Sequence, residues 1–126
     1  MKQRVRKHIP LLRFLLYIDT TQQKQIIKSL TDEQCDVISE IALNIYTGTY
    51  PLTKQYIRQL APYKPFIRML GSRETSSKRK RQILSKHVQL LSLMLKPIVQ
   101  HFNKRNGKRN DINTQTQVRT PEEVTE

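Results

Sequence analysis

Between Ile83 and Phe102 the chain places apolar side chains at steps of three and four: Ile83, Leu84, Val88, Leu91, Met94, Leu95, Ile98, Val99 and Phe102, with His87 in the same register. At 100° per residue all of them fall on one wide face, the mark of an amphipathic helix; a strand would alternate. The same step recurs upstream. Ile9, Leu12 and Leu16, flanked by Leu11 and Leu15, form a first helix with Pro10 in its opening turn, where a missing N–H has no intrahelical acceptor to lose. Thr20 or Thr21 can cap QQKQIIKSL, whose apolar face is Ile26, Ile27 and Leu30. Thr31-Asp32-Glu33-Gln34 has capping-box spacing, with acids in the turn where the helix end is positive. Behind it Cys35, Ile38, Ile41, Ala42 and Ile45 oppose Asp36, Glu40 and Asn44, and Gly48 stops the helix in the manner of a left-handed cap.

TYPLTKQYIRQLAPYKPFIRMLGS reads as a tight helical hairpin. Thr53 caps its first arm, Pro62 or Pro65 opens the second and Gly71 closes it, with Tyr56, Ile57, Leu60, Phe66, Ile67 and Leu70 as the inner surface. The final segment is expected as one helix from a Thr75 cap to Phe102, kinked at Pro97. The reading is all-α: a compact bundle of about five short helices plus one longer C-terminal amphipathic helix, over residues 1–103. The remainder, residues 104–126, is polar and too poor in apolar side chains to offset ordering entropy, and is expected to be a disordered tail.

Charge narrows the function. Lys and Arg number 23 against 10 Asp and Glu, a net +13, yet residues 31–47 hold four acids and no base. An excess of that size favours a polyanionic partner. Enzyme signatures are missing: there is no glycine-rich phosphate loop, the three histidines form no pair at ligand spacing, and His87 sits on an apolar face. The expectation is a non-enzymatic protein with no metal and no cofactor. One cysteine, Cys35, points to a reducing compartment. MKQRVRKHIPLLRFLLYI has the basic-then-apolar order of a secretory leader, but Arg13 interrupts it and no small-residue cleavage site follows, so it reads as the first helix of a chain that is not secreted. No apolar run is long enough to span a membrane, and membrane binding is not expected.

The densest basic run is Lys78-Arg79-Lys80-Arg81. Helical geometry sends Lys78, Arg79 and Arg81 to the margin of the apolar face and Lys80 to its centre, where an unpaired lysine is costly. The expected resolution is a first turn that overhangs the packed domain and leaves all four charges to a partner. Lys86, Lys96 and Lys104 extend the stripe in a manner suited to backbone phosphates. Arg58, Lys64 and Arg68 on the exterior of the hairpin, with Arg73 after it, complete the candidate nucleic-acid set, and Tyr63 could stack on a base or pack in the core. The basic run also fits a nuclear import label, and phosphorylation of Thr75, Ser76 or Ser77 would subtract charge beside it. Asp36 and Glu40 are either a solvated acidic face or a dock for a basic surface of another copy or partner. Leu90 and Leu93 fall outside the main apolar face, which calls for a second surface, and self-association, another protein or a membrane interface would each supply it.

The block ISEIALNIYTGTYPLTKQYIRQL, APYKPFIRMLGSRETSSKRKRQIL and LLSLMLKPIV resembles a small basic protein of Polinton/Maverick-type DNA elements and the related adenovirus-like (adinto-like) viruses of animals. The likeness is carried by Asn44 and Gly48, Pro51-Leu52-Thr53, Tyr63-Lys64, Ile67-Arg68, Leu70 and the basic run from Ser77 to Leu84, over about half the chain. The apolar Gly-Gly-Phe-Leu-Pro-like tail of that family, which is similar to part of the adenoviral minor core protein mu, is replaced here by Ser85-Lys86-His87-Val88 and a polar continuation. The resemblance implies a virion and host-nuclear location and a role in condensing the genome. The leading expectation is sequence-independent binding of double-stranded DNA in preference to RNA, with homo-oligomers through the acidic helix and the 90–99 surface. The alternative is a nuclear protein-interaction or regulatory module whose basic run is an import signal.

Overall fold

A computed structural model describes the backbone of residues 2–110 and the side chains of residues 3–102. Every regular element among the described residues is helical: α1 (Lys2–Lys7), α2 (Ile9–Tyr17), α3 (Thr20–Lys28), α4 (Asp32–Tyr46), α5 (Lys54–Leu60), a single 3₁₀ turn (Ala61–Tyr63), α6 (Lys64–Gly71), α7 (Ser77–Lys86) and α8 (Val88–Asn110). The all-α expectation stands.

Local chemistry sets most of the boundaries. The Thr31 hydroxyl accepts the Gln34 N–H at 3.1 Å while the Gln34 side chain accepts the Thr31 N–H at 2.9 Å, closing the capping box of α4. Thr53 accepts the Tyr56 N–H at 3.2 Å to open α5. Gly48 adopts φ 76°, the left-handed conformation in which a Cβ is strained. The cap of α3 lies one residue earlier than expected: Asp19, not Thr20 or Thr21, accepts the Gln22 N–H at 2.8 Å. Likewise Ser76, not Thr75, caps α7 by accepting the Arg79 N–H at 3.1 Å.

Gly71 corrects a second expectation. It is the last helical residue of α6, not a left-handed cap, and a Cβ there would stand 3.0 Å from the backbone of Leu43. Its smallness lets α6 lie directly on α4, the most extensive helix pairing in the molecule. Of the expected inner surface of the hairpin, Leu60, Ile67 and Leu70 are buried, whereas Ile57 is 55% exposed.

The expected single C-terminal helix is two. His87 takes φ −125° and ψ 59°, which breaks the helix, although its N–H still reaches the Ile83 carbonyl and its own carbonyl accepts the Leu90 N–H at 2.9 Å. The imidazole lies against Phe66 at 4.2 Å and edge-on to Tyr63 at 6.2 Å between centroids, so Tyr63 is a packing residue here and not an open stacking platform. The break lets α7 pack on α3 and α4 while α8 packs chiefly on α2. Pro97 lies within α8, and its carbonyl accepts the Tyr50 hydroxyl at 3.2 Å. The helix runs to Asn110, past the boundary placed at 103; the rest of the expected tail, residues 111–126, lies outside the described residues.

At the centre is α8. Leu90, Leu91, Met94, Leu95 and Ile98 are fully buried because α2, α3, α4, α5 and α7 all pack around them. Leu90 therefore needs no outside partner, contrary to expectation: the second surface is the chain's own. The N-terminal segment joins the same core, where Val5, Ile9, Leu12 and Leu15 are buried. Leu93 is half-buried in a shallow recess beside Leu16 and Tyr17.

Candidate nucleic-acid interface

Helix α3 packs along α7, and the polar sides of the two form the walls of an open trough of about 520 Å³. Lys24 and Lys28, four residues apart and hence one turn apart, line the α3 wall. Lys78, Arg81, Gln82, Ser85 and Lys86 line the α7 wall at the same helical spacing. Ile27 on α3 and Ile83 and Leu84 on α7 are buried, so burial of the apolar stripes is what turns these lysines outward. Lys24, Lys28, Lys78 and Lys86 are exposed, and among the described residues none has a carboxylate within 4 Å.

Arg81, in the same trough, is differently employed. Its guanidinium donates to the Leu30 carbonyl at 3.2 Å, just beyond α3, and stands 3.7 Å from Asp32 and 3.9 Å from the Cys35 sulfur. It ties the exit of α3 to α7 and so holds the trough's two walls together. The expectation that it is free for a partner is corrected, because its side chain is only 27% exposed and bonded inward. Burial pushes the Cys35 thiol above its ordinary pKa of 9.0, against the lowering effect of the Arg81 hydrogen bond and charge, which keeps it a thiol.

Lys80 is corrected as well. The first turn of α7 does not overhang the domain: Lys80 is 6% exposed, on the buried face as helical geometry required. Of the four cations in the run, only Lys78 and Arg79 are open to solvent, with Arg79 at 3.5 Å from the Gln82 side chain.

The remaining candidates are scattered. Arg73 and Lys80 line a separate cavity of about 550 Å³. Lys64 borders an apolar recess with Tyr46, Leu52 and Ile67, and Arg58 and Arg68 are exposed on α5 and α6. The trough thus gathers Lys78, Arg81 and Lys86 from the expected set and adds Lys24 and Lys28. Their one-turn spacing on QQKQIIKSL, at the margin of the face that holds Ile27, was the available signal; that α3 would lie beside α7 was not.

The acidic face is occupied from within. Arg4 of α1 lies 3.9 Å from Asp36 and 3.7 Å from Glu40, while Lys7 and His8 stand 3.6 Å and 3.5 Å from Glu33. The basic surface that docks on Asp36 and Glu40 is the first helix of this chain. Exposed apolar side chains sit elsewhere, at Phe14, Tyr17, Leu43, Tyr46 and Ile57.

Among the described residues no three His, Cys, Asp or Glu side chains converge in a way that could hold a metal ion, and no helix is long and apolar enough to cross a membrane. No family model, curated protein or solved structure matches the chain.

Proposed function

We propose that this is a non-enzymatic protein that binds double-stranded DNA without regard to sequence, through the α3–α7 trough, and serves to condense the genome of a virus-like element. The observation that carries the reading is the set Lys24, Lys28, Lys78 and Lys86: four exposed ammonium groups along one open trough, with no acid among the described residues within 4 Å of them. Lysines on flexible stems act as point charges on phosphate oxygens, and such contacts position a duplex without reading its bases. Gln82 and Ser85, on the same wall, add neutral donors of the kind that also serve phosphates. The resemblance to the Polinton-type basic proteins supplies the genome-condensing role and the preference for DNA.

The import reading of the basic run is weaker, since a label read as four accessible cations has two of them, Lys80 and Arg81, engaged in the fold. A salt titration of binding to random-sequence duplex DNA, with duplex RNA alongside, tests the proposal. With about four to six phosphates neutralised, affinity should fall by roughly a hundredfold or more between low and physiological salt. Binding that ignores salt, or no binding to DNA at low salt, overturns it.

A further inference from the structure

On the side of α7 away from the trough, the helix N-terminus, the loop before it and the seam between α1 and α4 line the open cavity of about 550 Å³, a volume in the range of small-ligand sites. One of its walls carries two acids and one base. Asp36 and Glu40 face the cavity, but Arg4 bridges both, at 3.9 Å and 3.7 Å.

The other wall is positive and uncompensated. Lys80 belongs to it: the residue is 94% removed from solvent, and among the described residues no carboxylate, carbonyl or hydroxyl bonds its ammonium. Nor is that ammonium sealed in the core, since it is absent from the buried unpaired polar atoms and the residue lines this cavity. A largely buried cation without an anion is costly, and an anion that enters beside it relieves that cost. Arg73, exposed at the mouth, is a second cation on the same wall.

The backbone adds to this field. Helix α7 makes its first intrahelical bond from the Lys80 N–H to the Ser76 carbonyl at 2.9 Å, and Ser76 uses its hydroxyl to cap the Arg79 N–H. The N–H groups of Ser77 and Lys78 precede that first bond and have no intrahelical acceptor. Converging N–H groups at the positive end of a helix dipole suit an anion with several acceptor oxygens.

We propose that this cavity is a binding site for one phosphoryl group, held by the Lys80 ammonium, the Arg73 guanidinium and the backbone N–H groups that open α7. The site does not use the trough's ammonium groups; it shares with the trough only Lys78, through that residue's backbone N–H. Its phosphoryl group comes either from a nucleic-acid backbone or from a small phosphorylated molecule.

The test is an amide NMR titration of the full chain with inorganic phosphate in chloride buffer. Saturable shifts are expected at Ser76, Ser77, Lys78 and Lys80. Lys80→Met, which keeps the stem and removes the charge, should weaken phosphate binding at least tenfold while melting at the same or a higher temperature. Arg73→Gln, a surface change, should weaken it severalfold; Lys86→Met, in the trough, should not. Shifts that spread to Lys24, Lys28 and Lys86, or saturable shifts that survive both Lys80→Met and Arg73→Gln, overturn the proposal. Saturating duplex DNA then distinguishes the sources: loss of the phosphate signature assigns the site to a backbone phosphate, and its persistence to a small molecule.

Discussion

Two surfaces of this molecule are rich in basic residues and put them to opposite uses. Along the α1–α4 seam, Arg4, Lys7 and His8 meet Glu33, Asp36 and Glu40, and the bases pair with acids within the fold. Along the α3–α7 trough, Lys24, Lys28, Lys78 and Lys86 meet no carboxylate among the described residues. The net charge of +13 does not distinguish the two. What a polyanion would encounter is the unneutralised remainder and its arrangement, and the fold sets four of its lysines together where two distant helices lie side by side.

The contrast can be broken from either side. Replacing Lys24, Lys28, Lys78 and Lys86 together by Gln should lower affinity for duplex DNA by on the order of a thousandfold at low salt, with roughly unchanged thermal unfolding because all four are exposed. Fluorescence anisotropy and a circular-dichroism melt read both quantities. The converse variant, Glu33→Gln, Asp36→Asn and Glu40→Gln, should convert the seam into a second basic surface. It is expected to tighten DNA binding about tenfold at low salt and to cost about 1–2 kcal/mol of stability, since Glu33 and Asp36 are exposed and only Glu40 is partly buried. Arg81→Met sharpens the distinction inside the trough itself. Its inward bonds predict a loss of about 1–2 kcal/mol in denaturant unfolding with less effect on DNA affinity than Lys78→Gln alone. The smallest effect is one of pH. Burial raises the pKa of the Cys35 thiol from 9.0 and those of the Tyr50 and Tyr56 hydroxyls from 10.0. Above pH about 9 the unfolded chain releases protons that the folded chain retains, so stability should decline as pH rises through that range. Urea midpoints at pH 8 and pH 10 would show it.

Signals that act within one turn of helix were readable in the sequence. The Thr31–Gln34 box, the Thr53 cap and the left-handed Gly48 depend on neighbours three or four residues away, and each formed as expected. The face of α7 and α8 was also correct, down to Lys80 at its centre. What periodicity could not convey was the break at His87, because the apolar register is the same on both sides of it while the packing neighbours differ. The same blindness produced the errors at Leu90 and Lys80. Each looked misplaced on a helix considered alone, and each is accounted for by elements far away in the chain: the helices around α8 in one case, the cavity beside α4 in the other. Arg81 belongs with them, its acceptor being the carbonyl of Leu30. The lysines of α3 were overlooked for the mirror reason, since two cations on a short polar helix signify little until a second basic helix is laid against them.

The most direct test of the trough is a lysine-acetylation footprint of the intact protein, free and bound to random-sequence duplex DNA. Lys24, Lys28, Lys78 and Lys86 should be protected by DNA, whereas Lys54, Lys64 and Lys96, exposed on other surfaces, should react as they do in the free protein. Uniform protection of all seven, or protection of Lys54 and Lys64 with the trough left reactive, would contradict the assignment.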